Sequence, residues 1–323
     1  MKSRAREESG RGLPHSKSFA LASASWSATV LCRFQWILLL ICCYTGCRKS
    51  ESVVTVYASQ DQVYAEPILA KFTKETKIRV RAIYDSEAVK TVGLVNRLIT
   101  EESNPQCDVF WNNEELRTRQ LEARNIVQKW APVGHRSRRI VINTHLVSAA
   151  PKSMIDLTNI TWKGKVALAY PLFGTTAAHF LALRQHWGAK NWELWCKALQ
   201  ANKPFLVDGN SVVVQLVGRG EAAIGMTDSD DIAAGQKQGM PIKALPMEDN
   251  SLLIPNTVAI VRNASHPDQA QHLYDYLQSA AVRNALISAS ALEGDVVPER
   301  TGISVDWPRL LGGYSCDSGL ICS

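Results

Sequence analysis

Three carboxylates within four residues, Asp228, Asp230 and Asp231, follow an apolar run from Ala222 to Gly225. The run has the composition of a β-strand, and ligands of α/β proteins bind in the crevice outside the carboxyl ends of strands. Clustered carboxylates repel each other unless a positive ligand neutralises them, and a hard metal cation is the simplest such ligand. A solvated acidic turn without a ligand is the alternative. The pattern alone leaves both interpretations open.

Two turns elsewhere in the chain have the composition of anion sites. Gly174, Thr175 and Thr176 open a predicted helix, where free backbone N–H groups, hydroxyls and the positive end of the helix dipole suit an anion. Asn210 and Ser211 repeat this arrangement after the next predicted strand. A simple N-cap and an ordinary turn are the alternatives. Beside the acidic cluster, these turns suggest a cation site in which a small anion completes the coordination.

Further charged candidates lie in the first half of the chain. Asp61 and Glu87 follow predicted strands, where each is a cation ligand or a helix cap. Arg136 and Arg138 could neutralise an anion or the carboxylates, or form a solvated basic turn. Phenol groups near strand ends are further hard-metal ligands or core residues; these belong to Tyr57, Tyr84 and Tyr170.

The elements that must position these residues alternate between strand and helix. Short β-branched or buried runs are followed by polar residues and then by helical patterns; they include residues 52–58, 78–84, 107–111, 165–169, 203–207 and 222–225. This order predicts doubly wound α/β sheets with a polar binding edge. Without its leader the chain has about 275 residues, more than one core usually accommodates, so two lobes are expected.

Residues 1–47 have the character of an export signal. Basic residues precede a short apolar run from Phe34 to Tyr44, which is shorter than the roughly 20 residues that span a membrane. Small residues before Cys47 resemble a bacterial lipobox, although Tyr44 stands where an aliphatic residue is usual. We therefore expect a lipoprotein acylated at Cys47, at the periplasm or the outer face of the cell membrane. Ordinary cleavage and an uncleaved anchor are the alternatives.

The charge and the cysteines exclude other classes. The leader carries six Lys/Arg and two Glu, so four of the six formal positive charges belong to it and two to the remainder. No basic stripe indicates nucleic-acid binding. Cys107 and Cys196 lie in apolar surroundings, and no cysteine spacing suggests zinc. Cys316 and Cys322 could form a local disulfide in an oxidising compartment.

The order of several short motifs carries a resemblance. They are Val56–Asp61, Asp85–Glu87, Asp108–Glu114, Arg136–Arg138, Tyr170–Thr176, Asp208–Ser211, Arg219–Glu221 and Leu253–Thr257. Together they resemble the solute-binding proteins of bacterial ABC importers, in the branch that contains the ferric-ion-binding proteins. The resemblance covers nearly all of residues 52–290.

The resemblance implies the two-lobed type 2 periplasmic-binding fold. Lobe 1 would comprise residues 48–141 and 254–300, and lobe 2 residues 142–253, with residues 301–323 as a C-terminal tail. Two crossover strands near Arg139–Thr144 and Leu253–Ile260 would join the lobes as a hinge.

The resemblance also implies a ligand set. Asp61 and Glu87 would bind the metal from lobe 1, while Asp230 and Asp231 stand where iron-binding relatives have a tyrosine pair. Carboxylates suit Fe³⁺ but also Mn²⁺, Ca²⁺ or an organic cation. Carbonate or phosphate would lie on an anion site that consists of Gly174, Thr175, Thr176, Asn210, Ser211 and Arg138.

The expected function is that of a monomeric, non-enzymatic receptor. It would present ferric iron, bound with a small anion, to the permease of an ABC importer. A phosphonate, sugar phosphate or other small organic solute is the alternative cargo. A transferase with Cys107 or Cys196 as nucleophile is the alternative from another class, although neither cysteine has an activating base nearby in the sequence.

Overall fold

The computed structural model describes residues 52–84, 90–172, 174–247, 250–294 and 302–312. Three predictions lie outside these ranges: the acylation of Cys47, the metal-ligand role of Glu87 and the pairing of Cys316 with Cys322. Within the described residues, no helix is both long enough and apolar enough to cross a membrane.

The first three strands form parallel βα units, as the sequence predicts. Strand β1 pairs in parallel with both β2 and β3, so the carboxyl ends of all three strands meet at one edge of the sheet. The strands are β1 (Val53–Ala58), β2 (Arg79–Tyr84) and β3 (Val109–Asn112), and the helices that follow them are α1 (Gln62–Thr76), α2 (Lys90–Thr100) and α3 (Glu115–Ala123).

Two long strands connect this sheet to a second one. Strand β4 (Val127–Asn143) pairs antiparallel with β9 (Leu253–Val261) up to Ser137. Beyond that point β4 pairs with strands of the second sheet, so it passes from one sheet to the other. The sequence predicted only the end of β4 as a strand, because Pro132 and Gly134 interrupt its pattern. The register shifts between these two residues.

The second sheet contains the remaining strands. Strand β5 pairs in parallel with β6 and β7, whereas β7 and β8 pair antiparallel with β4. Its strands are β5 (Val166–Ala169), β6 (Phe205–Val207), β7 (Ile224–Asp228) and β8 (Ile242–Leu245), and its helices are α4 (Gly174–Trp187), α5 (Ala189–Ala201), α6 (Asn210–Arg219) and α7 (Ser229–Lys237). Short 3₁₀ helices span Ile155–Thr158 and Ile160–Trp162.

Three helices complete the described fold: α8 (Pro267–Leu277), α9 (Ala280–Ala289) and α10 (Trp307–Gly312). The resemblance assigned residues 301–323 to a C-terminal tail; α10 lies in this segment and contributes Leu310 to the core of the second sheet. The tryptophans of α5 serve packing. Trp192 and Trp195 are buried and both contact the edge of Phe180.

A glycine in β7 allows helix α6 to approach the second sheet. A Cβ at Gly225 would lie 2.5 Å from Cγ1 of Val213 in α6 and 3.1 Å from the carbonyl oxygen of Ala167 in β5. Both distances are shorter than an ordinary contact, so a side chain here would displace α6. The close packing brings Asn210, the first residue of α6, to the end of β7.

Candidate cation-binding site

The acidic cluster lies where β7 ends and α7 begins. Asp228 is the last residue of the strand, and Asp230 and Asp231 lie in the first turn of the helix. One carboxylate oxygen from each of the three lies within 4.8 Å of the others. Asp228 and Asp230 are only 1% and 3% exposed, and Asp231 is half-buried. A solvated acidic turn is therefore wrong for Asp228 and Asp230, because water does not reach them.

Two buried arginines of β4 neutralise part of this cluster. Arg136 binds Asp230 through Nη1, and its Nη2 lies 3.3 Å from Oδ2 of Asp228. The Nη1 of Arg138 donates to Oδ1 of Asp228 at 2.5 Å. Residues two apart in a strand point to the same face, and the register pairs Arg138 with Asp228. The alternative in which these arginines neutralise carboxylates is thus the one that the geometry shows.

The neutral donors predicted for an anion also surround Asp228. Thr175 Oγ1 donates to Oδ2 of Asp228 at 2.7 Å, and Asn210 Nδ2 donates to the same oxygen at 3.2 Å. The Oδ1 of Asn210 in turn accepts from Arg138 Nη1 at 3.0 Å and from Thr176 Oγ1 at 3.3 Å. The predicted anion donors therefore converge on a carboxylate that belongs to the chain itself.

The other two predicted anion-site residues lie at the helix starts. Gly174 is the first residue of α4 and has a φ of +54°, a left-handed conformation that favours glycine. Ser211 is half-buried in the first turn of α6. Both turns thus bring a helix N-terminus to the end of the second sheet, as the sequence predicts.

The pKa values of the aspartates differ because their neighbours differ. Burial alone would raise the pKa of Asp228, but Arg138 and Arg136 outweigh burial and hold this pKa below its usual value. Burial raises the pKa of Asp230 to about 6; Arg136 opposes the shift, whereas Asp228 and Asp61 add to it. Desolvation and the charges of Asp230, Asp228 and Asp61 raise the pKa of Asp231 well above its usual value. Negative charge is thus in excess around Asp230 and Asp231.

Asp61 joins the cluster from the first sheet. It directly precedes helix α1 and makes no capping hydrogen bond to that helix, so the helix-cap alternative does not describe it. Its negative charge acts on Asp230, Asp231 and Arg136. The structure therefore brings Asp61, Asp230 and Asp231 together, and these are the three described members of the predicted metal-ligand set.

Tyr64 is a residue that the sequence analysis missed. It lies three residues after Asp61 on α1 and is half-buried. Burial raises the pKa of its phenol, and the charges of Asp230, Asp61 and Asp231 raise it further. Tyr64 follows Asp61 by three residues, and residues three apart in a helix lie on the same face. This spacing is the feature of the sequence that could have indicated Tyr64.

The tyrosines that the sequence singled out have other positions. Tyr57 is fully buried and its hydroxyl donates to Glu101 at 2.8 Å. The hydroxyl of Tyr84 is buried at the end of β2, and Tyr170 is 40% exposed after β5. The core interpretation is correct for Tyr57. Glu114, which follows β3, is a helix cap that accepts from the backbone N–H of Arg117 at 3.0 Å.

One buried oxygen of the cluster has no hydrogen-bond partner among the described residues. Oδ1 of Asp230 is buried and accepts no hydrogen bond from any described residue. The Nε atoms of Arg136 and Arg138 are likewise buried without an acceptor among the described residues. Buried polar groups are normally paired, because an unpaired one costs about 1–3 kcal/mol. An unpaired carboxylate oxygen beside further carboxylates is a natural position for a cation.

The family follows from a comparison of the chain with known protein families. Residues 53–289 match the bacterial extracellular solute-binding proteins, which is most of the chain. This chain belongs to that family. The sequence-based recognition of a solute-binding protein is therefore confirmed, and so is the prediction that it is not an enzyme.

Among the relatives of this solute-binding protein is the Fe(3+)-binding periplasmic protein of Serratia marcescens. The two are 30% identical over 202 residues, which are 55% of this chain and 57% of the relative. The match thus spans little more than half the length of that relative. Its name indicates a solute-binding role outside the cytoplasm.

Solved structures show the same fold. Iron-bound HitA from Pseudomonas aeruginosa superimposes with a TM-score of 0.69 at 18% identity, covering 79% of this chain and 88% of its own. AfuA from Actinobacillus pleuropneumoniae, with fructose-6-phosphate bound, gives 0.69 at 17% identity and covers 81% and 97%. The two-lobed periplasmic-binding fold is confirmed.

The buried thiol of Cys107 fits the non-enzymatic assignment of this solute-binding protein. Cys107 is fully buried, and its Sγ lies 3.1 Å from the carbonyl oxygen of Val109. Burial raises the pKa of this thiol well above its usual value. A thiol that resists ionisation is a poor nucleophile, so Cys107 is a structural residue.

Proposed function

We propose that this protein is the solute receptor of an ABC importer and that its cargo is a metal cation, with ferric iron as the foremost candidate. The cation would bind between Asp61 of the first sheet and Asp230 and Asp231 of the second. Oδ1 of the buried Asp230 carries the proposal, because it is an oxygen ligand without a hydrogen-bond donor among the described residues. Carboxylate oxygens are hard ligands and suit a hard cation.

The charge of the site supports a cation rather than an anion. When ionised, Asp61, Asp228, Asp230 and Asp231 carry four negative charges and the two guanidinium groups of Arg136 and Arg138 carry two positive ones, so this group of six described residues has two negative charges in excess. A divalent cation would balance them, and Fe³⁺ would need one more negative charge. Glu87, the remaining predicted ligand, would supply that charge.

An organic anion is the second candidate cargo. The likeness to AfuA, whose structure contains fructose-6-phosphate, favours it. Thr175, Thr176, Asn210 and Arg138 would be its donors. Their hydrogen bonds to Asp228 and to one another disfavour this alternative, since a phosphate would have to compete with a resident carboxylate.

The rest of the proposal concerns delivery. Lobe 1 (residues 48–141 and 254–300) and lobe 2 (residues 142–253) would close on the cargo about β4 and β9, as hinged binding proteins do. The closed monomer would dock on the transmembrane subunits of the permease. Acylation of Cys47 would hold it at the outer face of the cell membrane, and an unacylated form would move freely in the periplasm.

Metal analysis of the purified protein, together with chelator-buffered titration of Fe³⁺ and Mn²⁺, tests the proposal. We expect one bound metal ion per chain. Asp230→Ala should weaken binding at least about 100-fold and Asp61→Ala about tenfold, since even indirect partners of a metal contribute tenfold to 100-fold. Asp208→Asn removes the same charge from an exposed position and should leave the affinity unchanged.

Two outcomes would contradict this assignment. Absence of bound metal under all these conditions would remove the cation cargo. Binding of fructose-6-phosphate or a phosphonate that is lost in Asn210→Ala but retained in Asp230→Ala would establish the organic anion instead.

A further inference from the structure

We propose that Asp228 is an internal anion, which takes the place that a small external anion would otherwise occupy beside the cargo. The inference rests on the proposed cation cargo and deepens it. It predicts that this chain binds its cation without carbonate, phosphate or another exogenous anion.

The contacts of Asp228 are those expected of a bound carboxylate ligand. Its Oδ1 accepts from Arg138 Nη1 at 2.5 Å, and its Oδ2 accepts from Thr175 Oγ1 at 2.7 Å and from Asn210 Nδ2 at 3.2 Å. Arg136 Nη2 lies 3.3 Å from the same Oδ2. Two cations and two neutral donors thus hold one carboxylate, and hydrogen bonds from charged donors are the strong ones.

These contacts use the donors that an external anion would need. The hydroxyl of Thr175 has a single proton, and that proton is directed at Asp228. The amide group of Asn210 also donates to Thr175 Oγ1 at 3.0 Å, so its two protons are both engaged. A second anion at this position would meet the charge of Asp228, and like charges repel strongly where water is excluded.

The fold fixes the Asp228 carboxylate in this position. Asp228 ends β7 and pairs in the ladder with Arg138, so its backbone has no freedom to withdraw the side chain. Helix α6 packs against β7 at Gly225 and holds Asn210 beside it. The side chain that supplies the negative charge is therefore preorganised before any cargo binds. Asp230 and Asp231, in the first turn of the following helix, remain as ligands for the cation.

Among the described buried side chains of the cluster, Nε of Arg136 and Nε of Arg138 are the donors that lack an acceptor. The first backbone N–H groups of α4 and α6 have no acceptor within their helices either. An external anion would have to bind to these groups if the inference is wrong. The experiment must therefore detect a bound anion directly, and not only its effect on affinity.

The test uses the full chain loaded with iron from ferric nitrilotriacetate and freed of excess chelator. Native mass spectrometry then shows whether each iron-loaded molecule also carries bicarbonate, phosphate or nitrilotriacetate. Iron release to a competing chelator is measured with and without added bicarbonate and phosphate. We expect iron without a co-bound anion and a release rate that the added anions change by less than about twofold.

Two variants separate the charge of Asp228 from its volume. Asp228→Ala opens a space between Arg138 and Thr175, so bicarbonate or acetate should slow its iron release at least about tenfold. Asp228→Asn fills that space without charge and should not respond to either anion. Asp208→Asn, an exposed change of equal charge, should behave as wild type.

The outcomes distinguish this inference from the proposed function. Iron that the wild-type protein retains only with an exogenous anion, or that always carries an anion adduct, would overturn the internal anion and leave the iron cargo intact. Absence of iron in the wild-type protein under every condition would overturn both. The wild-type measurements decide the matter even if neither Asp228 variant folds.

Discussion

Asp228 and Asp230 are two residues apart and equally buried, yet they differ in almost every other respect. Both oxygens of Asp228 are bonded, and the neighbouring arginines lower its pKa. Among the described residues, Asp230 has one arginine partner, and its Oδ1 has no hydrogen-bond donor; burial and its acidic neighbours raise its pKa to about 6. A count of carboxylates does not reveal such a difference. The donors that the fold places around each carboxylate determine whether it is a structural anion or a free ligand.

The different elements that hold the two residues explain the difference. Asp228 is a strand residue, and its neighbour across the ladder is an arginine. Asp230 lies in the first turn of α7, where the helix dipole helps to accommodate negative charge but supplies no counter-ion. The arginines thus neutralise Asp228, whereas negative charge is in excess at Asp230 and Asp231 in the first turn of the next helix.

The largest expected effect is on stability. Asp228→Asn leaves Arg138 buried without its charged partner, so we expect it to lower the free energy of unfolding by about 3 kcal/mol at pH 7. Asp230→Asn relieves repulsion among the acids while Arg136 keeps Asp228, so its cost should stay below about 1 kcal/mol. Denaturant unfolding of the metal-free protein measures both values. Equal losses in the two variants would show that the two carboxylates are not distinct.

The next largest effect concerns how the stability of the metal-free protein depends on pH. Because the folded state raises the pKa of Asp230 from 3.8 to about 6, the folded metal-free protein binds the proton more tightly than the unfolded chain. Its stability should therefore fall as the pH rises from about 4 to about 6. Asp228 affects stability in the opposite direction, because its pKa is lowered in the folded state. The stability that it contributes is lost as the pH falls below about 4. Unfolding measured between pH 3 and pH 8 should show a maximum between these two regions.

The affinity for the cation should also depend on the protonation of Asp230, but it should increase with pH where the stability of the metal-free protein decreases. A cation competes with the proton on Asp230, so we expect its affinity to increase as the pH rises through about 6. Asp231, whose pKa is raised well above its usual value, should extend this dependence to higher pH. Asp230→Asn should flatten the slope near pH 6. An affinity in the wild-type protein that does not change between pH 5 and pH 7 would argue against Asp230 as a cation ligand.

The sequence predicted the candidate site because it depends on strand ends. The alternation of strands and helices indicated that Asp61, Asp230, Thr175 and Asn210 follow strands. The ends of the parallel strands β5, β6 and β7 meet at one edge of the second sheet, which accounts for Thr175, Asn210 and Asp230. Asp61 follows β1 of the first sheet, so this rule alone does not bring it to them. The pairing of Arg138 with Asp228 could not be predicted in the same way. It depends on the antiparallel register between β4 and β7, which are about 90 residues apart in the chain, and local pattern contains no information about such a register.

Strand β4 is a second feature that local sequence pattern could not fully predict. The apolar alternation of Ile140 and Ile142 was visible in the sequence, but Pro132 and Gly134 concealed the first half of β4. A proline tolerated at a register shift is a tertiary feature, since its missing N–H matters only relative to a particular neighbour. The sequence therefore left a solvated basic turn open as an alternative for Arg136, which lies within the long strand.

The smallest expected effect concerns Tyr64, on which the negative charges of Asp230, Asp61 and Asp231 act. In the metal-free protein burial and the acids nearby keep its phenol protonated, since both raise its pKa. A trivalent cation between Asp61 and Asp230 would reverse that field and favour the phenolate, which is a good hard-metal ligand. Iron loading should then produce a visible phenolate-to-iron absorption band.

Tyr64→Phe should remove this band and weaken iron binding about fivefold, which is roughly 1 kcal/mol. The aromatic ring remains in this variant, so its packing against the hydrophobic core of the first sheet should change little, and so should the stability of the metal-free protein. Tyr170→Phe, at an exposed position after β5, is the matched control and should keep both the band and the affinity. A band that persists in Tyr64→Phe would show that another tyrosine supplies the phenolate. Asp61 would then be the ligand from this part of the chain, and α1 itself would supply none.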